Sequence, residues 1–216
     1  MQLIEQVASD EIIEQAFLWL CLKRKEHSHN NDVWNLRRHW QTVKPDLQKQ
    51  LLDGTYRFSP QQEIRLDTET IELWASLDAL VLKAVTLVLT RHLKPHISNQ
   101  CVHVKGNGGC KEAVRQITRH LKENSFVFRS DVKGYYASID HHVLMEQLRC
   151  YIDDSRVIIL IWDYLNRTVQ FGGLYRDIKR GISLGCPLSP LIGALYLKLM
   201  DDRMGKDRVV LCQVYG

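Results

Sequence analysis

A chain of 216 residues, 45% hydrophobic and 25% charged, has globular composition and enough length for one sizeable core or two small ones, which excludes disordered and fibrous classes. Lys and Arg exceed Asp and Glu only by 29 to 25, so any polyanion binding has to come from how the bases are placed. With no opening signal pattern, no apolar run near the roughly 18 residues of a membrane span and no CxxC among six cysteines, a reduced cytoplasmic protein is expected rather than a membrane protein, disulfide scaffold or zinc module.

Residues 10–22 place Ile12, Ile13, Ala16, Phe17 and Leu20 at helical spacing, with Ser9 as the N-cap and acids in the first turn. Lys23 to Asp32 is polar and predicts a loop, and its His27 and His29 lack a nearby third metal ligand. Residues 35–52 predict a further helix anchored by Trp34, Leu36 and Trp40. From Gly54 through Glu63–Leu66 to Thr70–Trp74 the alternation predicts a turn and a β-hairpin, and a helix over 77–93 follows. A glycine-rich loop at 105–109 leads to a basic helix over about 111–122.

Phe126–Val132 reads as an apolar strand ending in an acid, Asp131. Helices are expected from Asp140 and over 155–168, and then a last one from an N-cap Ser189 and Pro190 to about Met204, closed by Gly205. Residues 209–215 predict a final strand. The order of elements gives an α+β layout.

Charge is unevenly spread. Residues 1–22 hold four acids and no Lys or Arg, whereas residues 23–49 and 101–133 each hold seven bases against three acids. A basic stretch alone reads as a solvated face. Two such stretches beside a carboxylate site point to a polyanion, because Lys and Arg displace condensed counterions from phosphates.

Two strings carry the chemistry. In Asp131-Val132-Lys133-Gly134-Tyr135-Tyr136, an acid closing a buried strand needs its charge compensated, either by a divalent metal or by capping the next turn. In Gly181-Ile182-Ser183-Leu184-Gly185-Cys186-Pro187-Leu188-Ser189-Pro190, glycine backbone leads into a helix start. That suits close approach to a flat base pair, or is simply a loop before a capped helix.

Together, in this order and about 50 residues apart, the two strings resemble the palm motifs of reverse transcriptases. The match is nearest to the bacterial group II intron-like branch, with its D-[VI]-K-x-[FY]-[FY] and G-x-P-Q-G-x-P-L-S-P strings. The resemblance continues upstream through Asn30–Trp34 and Gly54–Leu93. It implies an α+β fold of reverse-transcriptase-like fingers (1–100, with N-terminal helices) and an incomplete palm (101–216) of a right-hand polymerase. The implied reaction is RNA-directed DNA synthesis, with Mg²⁺, an RNA template, a DNA primer and dNTPs. By the same resemblance, Asp131 binds the catalytic metals with help from the Val132 carbonyl. Tyr136 sits beneath the incoming sugar and excludes a 2′-hydroxyl, Leu184 and Gly185 face the nucleotide, and Lys105, Lys111 and Arg115 touch the template backbone.

Three departures from the pattern are plain. Ser183-Leu184 stands where the family has Pro-Gln, and Leu184 has no hydrogen bond to donate. No base stands just ahead of the helix at 77–93 to meet the triphosphate, leaving Arg65 as its substitute. The Tyr-x-Asp-Asp hairpin expected after residue 216 does not occur in these residues, and Tyr151-Ile152-Asp153-Asp154 precedes the second string and reads as a helix cap. A truncated, frameshifted or excised piece, inactive alone, is the expectation; a non-catalytic RNA- or DNA-binding module derived from the same fold is the alternative.

Overall fold

The computed structural model describes residues 1–65, 70–98, 101, 102, 104, 107–121 and 128–206. A short helix, α1 (Leu3–Val7), precedes α2 (Asp10–Lys23), whose cap is Ser9: its hydroxyl accepts from the Ile12 N–H at 3.4 Å. The helical stretch expected over 35–52 is two helices, α3 (Asp32–Arg38) and α4 (Trp40–Asp53), broken at His39. Trp40 lies flat on Phe17 of α2, with ring centroids 4.0 Å apart, so the break turns the indole onto the core. Gly54 closes α4 in the left-handed conformation.

The expected hairpin is present as β1 (Gln61–Arg65) and β2 (Thr70–Leu73), antiparallel with Glu63 opposite Glu72, while residues 55–60 are coil. Helix α5 (Ser76–Leu93) follows and is the centre of the molecule. Buried residues occur on every side of it, as a helix surrounded by protein requires, and α1, α2 and α3 pack around it. Asp32 ties the start of α5 to α3: it accepts from the Ser76 N–H and hydroxyl and pairs with Arg24 at 3.2 Å.

A 3-10 turn (Lys94–His96) leads towards α6 (Gly109–His120), on which Ala113 is the buried residue. Next come the short α7 (Tyr135–Ser138), α8 (His141–Arg149) and α9 (Ser155–Leu165). Asp140 and Asp154 cap the last two, and Asp154 also accepts from the Ile4 N–H, so Tyr151–Asp154 has the capping role expected of it.

The helix expected over 155–168 ends at Leu165. The next residues form a hairpin, β3 (Thr168–Phe171) and β4 (Leu174–Asp177), turning at Gly172 and Gly173 with positive φ. The two hairpins join into one sheet of order β2-β1-β3-β4, β1 pairing with β3 in parallel. The sheet therefore takes strands from both sides of residue 100.

Three other expectations are corrected. Phe126 and Val127 lie outside the described residues, but 128–132 is coil with Phe128 and Val132 exposed, so Asp131 does not close a strand there. The last helix is α10 (Ser189–Tyr196) and α11 (Lys198–Lys206), parted at Leu197, and Gly205 lies within α11. Ser189 is the first residue of α10 rather than its cap: it is buried, and its hydroxyl donates to the Ser183 carbonyl at 2.5 Å. The strand expected over 209–215 lies outside the described residues.

Candidate active-site cleft

The two strings singled out in the sequence meet at Gly181. Its N–H donates to the Ile139 carbonyl at 2.8 Å, and the Ile182 N–H donates to the Tyr136 carbonyl at 2.9 Å. Arg180 adds a bond from Nε to the Ser138 carbonyl at 3.0 Å. The chains come so close that a Cβ on Gly181 would stand 2.9 Å from both Cα and the carbonyl oxygen of Ala137. With φ at +84°, glycine is required here on two counts.

The Gly181 carbonyl is held from the other side. Arg167 Nη1 donates to it at 3.1 Å, and His141 Nε2 lies 2.8 Å away. Burial lowers the pKa of the His141 ring, opposed by that contact with Gly181. The buried Arg167 also makes a two-pronged pair with Glu72, at 2.7 and 2.9 Å, and so fixes β2 to the loop. Such fork-to-carboxylate pairing sets orientation as well as distance.

Ser183, standing where a proline was expected, is wholly buried. Its hydroxyl accepts from Trp74 Nε1 at 3.0 Å, and its N–H donates to the Tyr164 hydroxyl, which lies 2.8 Å from Ser189 Oγ. Hydroxyl bonding thus gives this loop rigidity that ring geometry would otherwise supply. Burial pushes the neighbouring Cys186 thiol up to about 11, which keeps it protonated. Leu184 points outward, half exposed.

These contacts leave a cleft of about 540 Å³ between the sheet and the joined loops. Asp131, Val132, Tyr136 and Leu184, all predicted site residues, line one side with Gly181. Glu63, Thr70 and Glu72 line the opposite side. Asp131 is exposed, and among the described residues it has no ion-pair partner. Tyr136 is half-buried, and burial raises its phenol, keeping it neutral. Its ring edge would lie 3.1 Å from a Cβ on Gly193, so helix α10 backs the ring.

Two predicted residues do not line the cleft. Arg65 is drawn into a 2.7 Å pair with Glu63, and its guanidinium lies 3.9 Å from the Phe171 ring centroid. Gly185 sits just beyond Leu184 with open space where a Cβ would go. Of the residues expected to touch a template, Lys105 lies outside the described residues, and Lys111 and Arg115 are exposed on α6. Sequence reasoning missed Arg167, Arg176 and Arg180, all of which reach the cleft. The signal was there: Gly172-Gly173 between β-forming residues marks a two-residue hairpin turn, and β4 carries Arg176.

Magnesium takes one or two carboxylates together with substrate phosphates. The cleft fits the first half of that need. Asp131 is unpaired among the described residues, while arginines neutralise Glu63 and Glu72, and no cluster of three or more His, Cys, Asp or Glu with metal-binding geometry occurs among the described residues. Also among them, no helix is long and apolar enough to cross a membrane.

No protein-family model matches the chain. It is 25% identical over 157 residues to the group II intron-encoded protein LtrA of Lactococcus lactis subsp. cremoris, an alignment covering 70% of this chain and 26% of that protein. It is 22% identical over 170 residues to the protein YkfC of Escherichia coli K12, covering 72% of this chain and 44% of YkfC. Among solved structures, a chain of a partial Cas6-RT-Cas1–Cas2 complex superposes with a TM-score of 0.64 at 17% identity, over 95% of this chain and 35% of that one. The chain thus spans from about a fifth to under half of the length of the curated relatives it matches.

Proposed function

This chain is reverse-transcriptase-like, and we propose that it supplies the fingers and part of the palm of an RNA-directed DNA polymerase, residues 1–100 being fingers-like and 101–216 a partial palm. The observation that carries this reading is the backbone pairing of Gly181 and Ile182 with Ile139 and Tyr136, which brings both motif strings to one cleft. The substrates are a dNTP, an RNA template and a DNA primer. The reaction is transfer of a nucleotidyl group to a primer 3′ oxygen.

Asp131 and the Val132 carbonyl would hold magnesium, which supplies positive charge to the oxygens of phosphoryl transfer. Tyr136, backed by Gly193, places a fixed ring where a ribose 2′-hydroxyl would collide. Leu184 presents an apolar surface to the nucleotide where a glutamine would have offered hydrogen bonds. The loop from Gly181 is braced on Arg167 and Ser183, so substrate binding does not have to order it.

Among the described residues the cleft has a single unpaired carboxylate, Asp131, and no Tyr-x-Asp-Asp string follows the second motif within the 216 residues, so this chain alone is expected to extend no primer. Equilibrium binding tests the site itself. In Mg²⁺ a dNTP should bind more tightly than the matching ribonucleotide, Asp131→Asn should abolish the magnesium dependence, and Tyr136→Ala should equalise the two sugars. Nucleotide binding indifferent to magnesium and to both changes would reject the polymerase reading. Salt-sensitive RNA binding that survives Asp131→Asn unchanged would then favour a binding module.

A further inference from the structure

The charges lining the cleft are sorted. Asp131 stands alone on the motif side, and Glu72 is consumed by Arg167. Glu63, nearly buried, is shared by Arg65 at 2.7 Å and Arg176 at 2.9 Å, so one carboxylate faces two guanidinium groups. Arg180 has a single bond, to the Ser138 carbonyl, and no described carboxylate within ion-pair distance. Both Arg176 and Arg180 are exposed, and both line the cleft. Arg65 does not line it, being spent on Glu63 and the Phe171 ring.

A cleft lined by an unpaired carboxylate, Asp131, and by two under-neutralised guanidinium groups suits a ligand that carries a cation and several phosphate oxygens. Guanidinium forks bind phosphate oxygens in pairs. We propose that Arg176 and Arg180 hold the polyphosphate of a magnesium-bound nucleotide, Glu63 giving up Arg176 to the ligand while keeping Arg65. The cations thus come from β4 and the segment after it, not from the β1–β2 hairpin. Arg65 lets Glu63 release Arg176 without becoming a bare buried charge. The inference rests on the reading of the cleft as a nucleotide site.

Inorganic tripolyphosphate with Mg²⁺ is the probe, because it has neither sugar nor base. Calorimetric titration of the 216-residue chain should show binding that weakens about tenfold or more for Arg176→Ala and for Arg180→Ala, as loss of a charge-assisted bond predicts. Lys179→Ala removes the same charge from an exposed position outside the cleft and should change affinity less than twofold. The substituted side chains are exposed, and circular dichroism melting checks that each variant is folded. Tripolyphosphate affinity unchanged in the double arginine variant would overturn the assignment, and so would an equal loss in Lys179→Ala. If the double variant still bound dNTP normally, the phosphate assignment alone would fall. Arginine-dependent tripolyphosphate binding with no added affinity for dNTP would uphold it and count against the nucleotide reading.

Discussion

Gly181→Ala tests whether the two motif strings are locked together as described. A non-glycine residue in left-handed backbone costs about 1–2 kcal/mol. The new methyl would also stand 2.9 Å from Ala137 and 3.0 Å from the Tyr136 carbonyl oxygen, and these are backbone atoms that no rotamer change can move. Relief requires the strands of the loop to separate, which loses the Gly181-to-Ile139 and Ile182-to-Tyr136 bonds, each worth about 0.5–1.5 kcal/mol. The sum is a loss of about 2–5 kcal/mol, or a fall in Tm of roughly 4–20 °C for a chain of this size. Gly185→Ala is the internal control: φ is +78°, but no atom lies within 4 Å of the added Cβ, so only the backbone cost of about 1–2 kcal/mol applies. Urea unfolding followed by circular dichroism measures both. If the two variants unfold within about 0.5 kcal/mol of each other, the contact at Gly181 is not made and the cleft geometry built on it fails.

Arg167→Met should cost about 3–5 kcal/mol, because it strands Glu72 and removes a donor from the Gly181 carbonyl. Adding Glu72→Gln should recover part of that loss in a double-mutant cycle, and a single-variant loss below about 1 kcal/mol would refute the strut. Asp201 gives a pH prediction. Burial pushes its carboxyl up to about 6, so the folded chain holds that proton more tightly than the unfolded chain does. Its contribution is therefore greatest below about pH 4 and is lost as pH rises to about 6. Asp201→Asn should flatten that part of the stability–pH curve and stabilise the chain at pH 7 by about 1–3 kcal/mol. An unchanged curve would show that the carboxyl is solvated.

The helices over 10–22 and 77–93 and the first hairpin were legible because each has a clean period, and their caps and turns agree with it. The two motif strings were legible as partners, and four of the residues named from them line the cleft. The second hairpin was not legible because the helical pattern of 155–165 runs on towards Thr168 and masks the Gly172-Gly173 turn signal. Missing it meant missing Arg176. Arg65 was misplaced because sequence cannot show that Glu63, two residues away on the same face, captures it. An apolar run such as 126–132 becomes a strand only when another strand pairs with it, and no described strand pairs with residues 128–132.

The parallel pairing of β1 with β3 joins segments about one hundred residues apart in the chain. Each hairpin can close locally within microseconds, but bringing the two together closes a long loop whose entropy must be met before the contact gives anything back. The cleft, which takes its lining from β1, β2 and β4 together, is therefore incomplete until that long-range pairing has formed. A ribosome that has not yet delivered Arg180 has produced neither the full cationic wall of the site nor the core residues that follow it, from Ile182 to Leu195.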